Sequence, residues 1–239
     1  MTDQYQLAVG PHRRPGGGRC AMEWVAYLAG EAHTDAPSSV SPVLAAFTRS
    51  RNDSLDDRTR QRLRPYLGRT IRTVDDGLDD WRAWQCTDWL VRACVPALLE
   101  HAGLTRHAVA LWQSSLPEIL GAPLHDAARA AARTRRERRD GTSSDGARHA
   151  TRALARASGW EAARAAVRAA PADEVRSRAV DLACRAARDA VWAAAWRDGA
   201  SPWAAARPVA EGLQRSSFVL LDRLLPGVVV PAPPVFAVA

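Results

Sequence analysis

The chain has 239 residues, 47% hydrophobic and 25% charged, enough for a substantial buried core in one large or two small domains. These figures exclude wholesale disorder, a disulfide miniprotein and a collagen-like fibre. The net charge is +7 with a pI near 10.2, and because lysine is absent all 33 basic residues are arginine.

Alanine makes up about a fifth of the chain, Asn52 is the only asparagine, and Ile71 and Ile119 are the only isoleucines. This is the substitution pattern of GC-rich coding, so the arginine excess by itself says little about function. Arginine forks do suit phosphate and carboxylate, and a pI above 9 is the electrostatic flag of nucleic-acid binding. No apolar run reaches the roughly 18 to 20 residues needed to cross a bilayer, and no signal-peptide order is visible in the first thirty residues. Cys20, Cys86, Cys94 and Cys184 are widely spaced, with no CxxC and no metal-type pairing. They read as reduced thiols of a cytoplasmic protein, with no membrane association expected.

Residues 1–18 are polar and broken by Pro11, Pro15 and Gly16 to Gly18, which predicts a mobile arm. Ala21, Trp24, Val25 and Leu28 then recur at helical spacing, with Gly30 as terminator. After a loop from Glu31 to Val40, Ser41-Pro42 supplies an N-cap and a proline in the first turn of a helix fading near Asn52-Asp53. Another helix starts at Asp56-Asp57 and carries Leu63, Tyr66 and Leu67.

Asp79 to His101 is the strongest helical segment of the first half, with Trp81, Trp84, Trp89, Leu90 and Leu98 as its buried stripe. Pro96 predicts a kink, because proline removes one backbone bond and clashes with the preceding turn. Gly103 ends the segment, and Thr105 is expected to cap a short helix bearing Val109, Leu111 and Trp112. The acidic run Asp75 to Asp80 suits a helix N-terminus better than a cation loop, since it lacks alternating ligands and a distal glutamate.

Composition shifts near residue 123. Three Ala/Arg-rich blocks, separated by Gly141–Gly146 and Ala170-Pro171, predict antiparallel helices in close contact through alanine, with Trp160, Trp192, Trp196 and Trp203 filling gaps. A last amphipathic helix is expected over Pro208 to Leu225, and the tail from Pro226 is too rich in proline to be helical. The expected fold is all-α. An irregular Trp-rich helical half at 19–121 packs with an Ala/Arg-rich antiparallel helical bundle at 122–225, between an arm at 1–18 and an extended tail at 226–239.

The stretch Cys20-Ala-Met-Glu23 through Thr34-Asp35-Ala-Pro37, with Ser41-Pro42, Asn52-Asp53 and Leu221-Asp222-Arg223-Leu224, resembles a group of actinomycete and phage proteins. That group combines a Cys-x-x-Glu helix, a Thr/Ser-Asp-x-Pro loop and an Ala-rich C-terminal half. The resemblance covers roughly residues 17–115 and implies no activity.

Two places carry chemistry-bearing side chains. The densest polar cluster is Cys20, Glu23, Glu31, His33, Asp35, Asn52 and Asp53. Cys20 and Glu23 share one helix face. A helix N-terminus beside Arg19 favours the thiolate of Cys20, with His33 and Asp35 as base and orienter. Burial beside Trp24 and Tyr27 would raise Glu23 toward a proton donor, leaving Asp35 ionised. A structural network uses the same residues: Cys20 as packing, Glu23 satisfying loop amides and Asp35 capping the turn into Pro37. A mixed Cys/Glu/His/Asp metal set has no recognised spacing.

The second place is the basic stretch Arg133, Arg135, Arg136, Arg138 and Arg139, a solvated helix end or a phosphate-contact patch. There is no P-loop, GxGxxG, GxSxG elbow or zincin motif, and no cofactor is implied. The expected function is a helical binding or interaction protein, its partner a small molecule between helices or a polyanion at the arginine patch. The alternatives are a small-molecule enzyme built on the polar cluster and a charge-driven, sequence-nonspecific nucleic-acid binder.

Overall fold

The computed structural model describes residues 6–14, 18–138, 144–195 and 202–225. The fold is all-α. Among the described residues the only extended pairing is a single bridge between Leu7 and Arg19. No described helix is long and apolar enough to cross a membrane. The first five residues, Trp196, Arg139 and the expected 226–239 tail lie outside the described residues.

The helices are α1 (Ala21–Ala29), α2 (Pro42–Ser54), α3 (Asp57–Arg60), α4 (Arg64–Thr70), α5 (Asp79–Trp89), α6 (Val95–His101), α7 (Thr105–Gln113), α8 (Leu116–Ile119), α9 (Ala122–Glu137), α10 (Ser144–Ser158), α11 (Trp160–Ala169), α12 (Glu174–Ala195) and α13 (Pro202–Leu224). Ser41 caps α2 through its side chain as expected, and Gly30 ends α1 in the left-handed conformation at φ 74°. A π-helical turn at Leu90–Cys94 joins α5 to α6, with the Val95 amide donating to Leu90 O. This wider turn immediately precedes Pro96, where the backbone must accommodate a residue with no N–H.

Four expectations change. Thr105 is the first residue of α7 and does not cap it. Leu104 holds the cap position and has no polar side chain to offer. The block before Ala170 splits into α10 and α11 at Gly159, whose φ of 91° reverses the backbone. The last helix opens at Pro202, not Pro208, and Pro208 lies within it. Described residues of the expected mobile arm are tied down: Leu7 is 4% exposed, and its amide and carbonyl bond the Gln61 side chain at 2.9 and 3.1 Å.

Contacts gather the chain into two compact units that do not follow the compositional shift at residue 122. One combines the described residues up to Cys86 with Glu161–Ala172 and α13 from Phe218. The other combines Thr87–Trp160 with Asp173–Ser217. Composition is a property of consecutive residues, whereas each unit draws on helices far apart in the chain.

In the first unit α1 packs on α2 and α4, and Met22, Val25, Val43, Leu44, Phe47, Leu63 and Leu67 are fully buried. The Arg82 guanidinium is also fully buried there. Asp76 holds it at 2.5 Å and Asp79 at 3.3 Å, and it donates to Leu224 O at 3.0 Å. The acidic run thus neutralises a core arginine.

In the second unit α12 packs on α6, α9 and α10. It buries Ala183, Ala186, Ala187, Ala190 and Ala193, while α9 buries Leu124, Ala127 and Ala131. Small side chains let helix axes approach closely, which is how an alanine-rich sequence forms a dense core. Trp24, Trp81, Trp84, Trp89 and Trp160 are core residues, and Trp112 is 45% exposed.

Candidate functional site

The polar cluster of the first unit centres on Glu23. Cys20 is the N-cap of α1, its Sγ accepting the Glu23 amide at 3.5 Å, while Glu23 Oε2 accepts the Cys20 amide at 2.8 Å. This is a reciprocal capping box with a thiol in the usual hydroxyl position. The Glu23 carboxylate is 1% exposed. It also accepts the His12 amide at 2.5 Å on Oε1 and His12 Nδ1 at 2.8 Å on Oε2. His33 Nε2 donates to His12 O at 2.8 Å and lies 3.6 Å from Glu23 Oε1.

Cys20, Glu23 and His33 therefore converge, and His12, which the sequence places in the arm, completes the group. Asp35 does not join it. Its carbonyl accepts Arg49 Nη2 at 2.9 Å, and its carboxylate lies 3.6 Å from Arg49 Nε. Glu31 holds the following loop by accepting the Ser38 and Ser39 amides at 2.7 and 3.0 Å. Asn52 bridges Ala21 N and Ala8 O at 3.1 and 2.9 Å, and Asp53 accepts the Gly10 amide at 2.9 Å.

The electrostatics run opposite to those a nucleophilic cysteine and a protonated glutamate require. Burial, partly offset by the Glu23 amide and reinforced by the Glu23 charge, pushes the Cys20 thiol from 9.0 up to about 11. Arg19 is stacked over the Tyr27 ring at 4.3 Å. For Glu23, burial acts upward, but the amides of His12 and Cys20 and the His12 ring outweigh it and hold the carboxyl below the usual 4.5. It stays ionised because each oxygen meets hydrogen-bond donors. The signal for His12 was indirect: a buried glutamate at a helix start needs donors, and the preceding segment supplies amides and an imidazole.

The basic stretch divides in the second unit. Arg135 donates to Asp189 at 2.6 Å and stacks over Trp192 at 4.9 Å. Arg138 donates to Ala193 O at 2.8 Å and Ala102 O at 3.4 Å. Both tie down the end of α9. Arg133 and Arg136 are exposed, and Arg139 lies outside the described residues.

Arg133 borders a groove of about 860 Å³ between the start of α7 and α9. Arg106, His107, Asp126, Arg129 and Glu137 also line it. Arg129 is paired with Asp126, whereas Arg106 and Arg133 have no ion-pair partner among the described residues. His107 is drawn below its ordinary 6.5 by burial first and then by Arg106 and Arg133, with Asp126 opposing. The sequence places Arg129 in the basic stretch and His107 on the helix after Gly103, but gives no sign that Arg106 and His107 face Arg129 and Arg133, because the groove joins two helices that local patterns treat separately. Among the described residues, no group of three or more His, Cys, Asp or Glu side chains is arranged to hold a metal.

Fold and site together define an all-α protein with a self-contained polar cluster and a cationic groove. No family model, curated protein or solved structure matches the chain significantly.

Proposed function

We propose that this chain is a helical binding protein whose ligand is an anion held in the groove between α7 and α9. The observation that carries this reading is the placement of Arg106 and Arg133, unpaired by any acid among the described residues, on opposite sides of one groove. Guanidinium groups there meet carboxylate or phosphate oxygens through charge-assisted hydrogen bonds. The polar cluster of the first unit supports the same reading from the other side. Its carboxylate accepts the His12 ring and amide and the Cys20 amide, its thiol accepts the Glu23 amide, and His33 donates to His12 O, so the cluster ties α1 to the N-terminal segment.

Calorimetric titration with inorganic pyrophosphate at low salt tests the proposal. Arg106→Gln and Arg133→Gln should each weaken binding about tenfold, the value of one charge-assisted hydrogen bond. Arg136→Gln, outside the groove, should bind like the parent. Absence of binding in the parent chain overturns the reading. Equal loss in Arg136→Gln replaces it with a diffuse polyanion surface of the nucleic-acid-binding kind.

A further inference from the structure

We infer that the groove takes a compact dianion of the phosphate or sulfate class and that its uptake places a proton on His107, so that the site releases its ligand as pH rises. This rests on the anion-binding reading above and adds the ligand class and its control. The geometric basis is the contact between neighbouring side chains at the start of α7, where Arg106 Nε donates to His107 Nε2 at 3.1 Å.

A ring nitrogen that accepts an N–H carries no proton, so this contact requires a neutral imidazole with Nε2 engaged by Arg106. Protonating Nε2 sets two donors against each other and breaks that contact. Arg106 Nε and the new Nε2–H are then both left needing an acceptor. A dianion supplies several acceptor oxygens and offsets the added charge. Without it, burial first and then like charge from Arg106 and Arg133 oppose the proton, with Asp126 acting the other way.

The groups around the ring are few. Arg106 lies on its own helix, and α9 contributes Asp126, Arg129, Arg133 and Glu137 to the groove. The α6 helix and the π-helical turn, which also pack on α7, carry Glu100, His101 and Arg92, none of which lines it. Leu104 gives α7 no side-chain cap, so the helix start adds favourable potential for an anion without competing for it. A single phosphate-sized group needs far less than 860 Å³, so the remaining space admits the body of a larger molecule bearing it.

The experiment is an NMR titration of the whole chain with sodium sulfate, whose charge is constant between pH 5.5 and 7.5. The His107 ring shift is followed against pH with and without sulfate. The expected result is a midpoint raised by about one pH unit and affinity several-fold tighter at pH 5.5, approaching tenfold. His107→Gln, which keeps an acceptor for Arg106 but cannot take the proton, should bind sulfate equally at both pH values. Sulfate binding that moves α7 and α9 resonances without moving the midpoint overturns the proton linkage and leaves the binding reading standing. Full pH dependence in His107→Gln also overturns it. No response of these resonances at either pH removes the binding reading itself.

Discussion

His12 Nδ1 donates to Glu23 Oε2 at 2.8 Å, and the His12 amide reaches the other oxygen of the same carboxylate. One buried side chain thereby fixes both the backbone and the ring of a residue eleven positions upstream. Glu23 joins α1 to the segment before it, and its charged form is the one the structure uses.

Glu23→Gln should destabilise the fold by about 2 kcal/mol, because the amide presents its own N–H groups to buried donors. Urea denaturation at pH 7 measures this. Protection of the amides of residues 6–12 from hydrogen exchange should fall selectively. A parent-like midpoint together with unchanged exchange would show that the carboxylate contributes nothing net.

Acid sensitivity follows from the same group with a definite sign. Its folded value is depressed, so its contribution is fully present above the ordinary 4.5 and fades as pH drops through the lower folded value. The stability gap between the parent chain and Glu23→Gln should therefore close below about pH 4.5. A gap that widens on acidification contradicts the sign. Asp76, for which burial is outweighed by Arg82 and the Leu78 amide, shifts the same way and steepens the overall acid transition.

Cys20 should resist iodoacetamide in the native state at pH 7, since its thiol is 1% exposed and pushed up to about 11. Peptide mapping after brief labelling checks this, and rapid modification of Cys20 relative to the unfolded chain would refute it. Cys20→Ser restores the preferred oxygen at the cap and should leave stability unchanged or raise it by up to about 1 kcal/mol. Thermal melting reads that difference.

Arg138→Ala should cost about 1–2 kcal/mol, because Ala193 O loses a charged donor. Arg136→Ala should stay within about 0.5 kcal/mol, as expected at an exposed position with no such contact among the described residues. Chemical denaturation of the two variants side by side decides whether the basic stretch acts as one patch. Equal effects would mean that it does.

Arg82→Leu removes the countercharge of Asp76 and Asp79 and the donor to Leu224 O. Breaking a buried ion pair from one side costs about 3 kcal/mol. Adding Asp76→Asn and Asp79→Asn should recover part of that loss, because fewer carboxylates are then left unpaired. Denaturation midpoints of the single and triple variants test the coupling.

The sequence by itself determined the all-α class and several helix ends. Ser41-Pro42, the Cys20-x-x-Glu23 face, Gly30 and the tryptophan stripe of α5 are legible because helical period, capping and termination act within a few residues. Tertiary structure alone decided which charged groups were free and which were spent. Arg135 and Arg138 look like Arg133 in the sequence, yet their partners Asp189 and Ala193 lie 54 and 55 residues away. Gln61 fixes the expected mobile arm from 54 positions downstream of Leu7, which no local pattern encodes. The groove arises where Arg106 and His107 of one helix meet Arg129 and Arg133 of another. Local rules place each side chain on a helix face, but a site of opposing faces exists only once long-range packing brings them together.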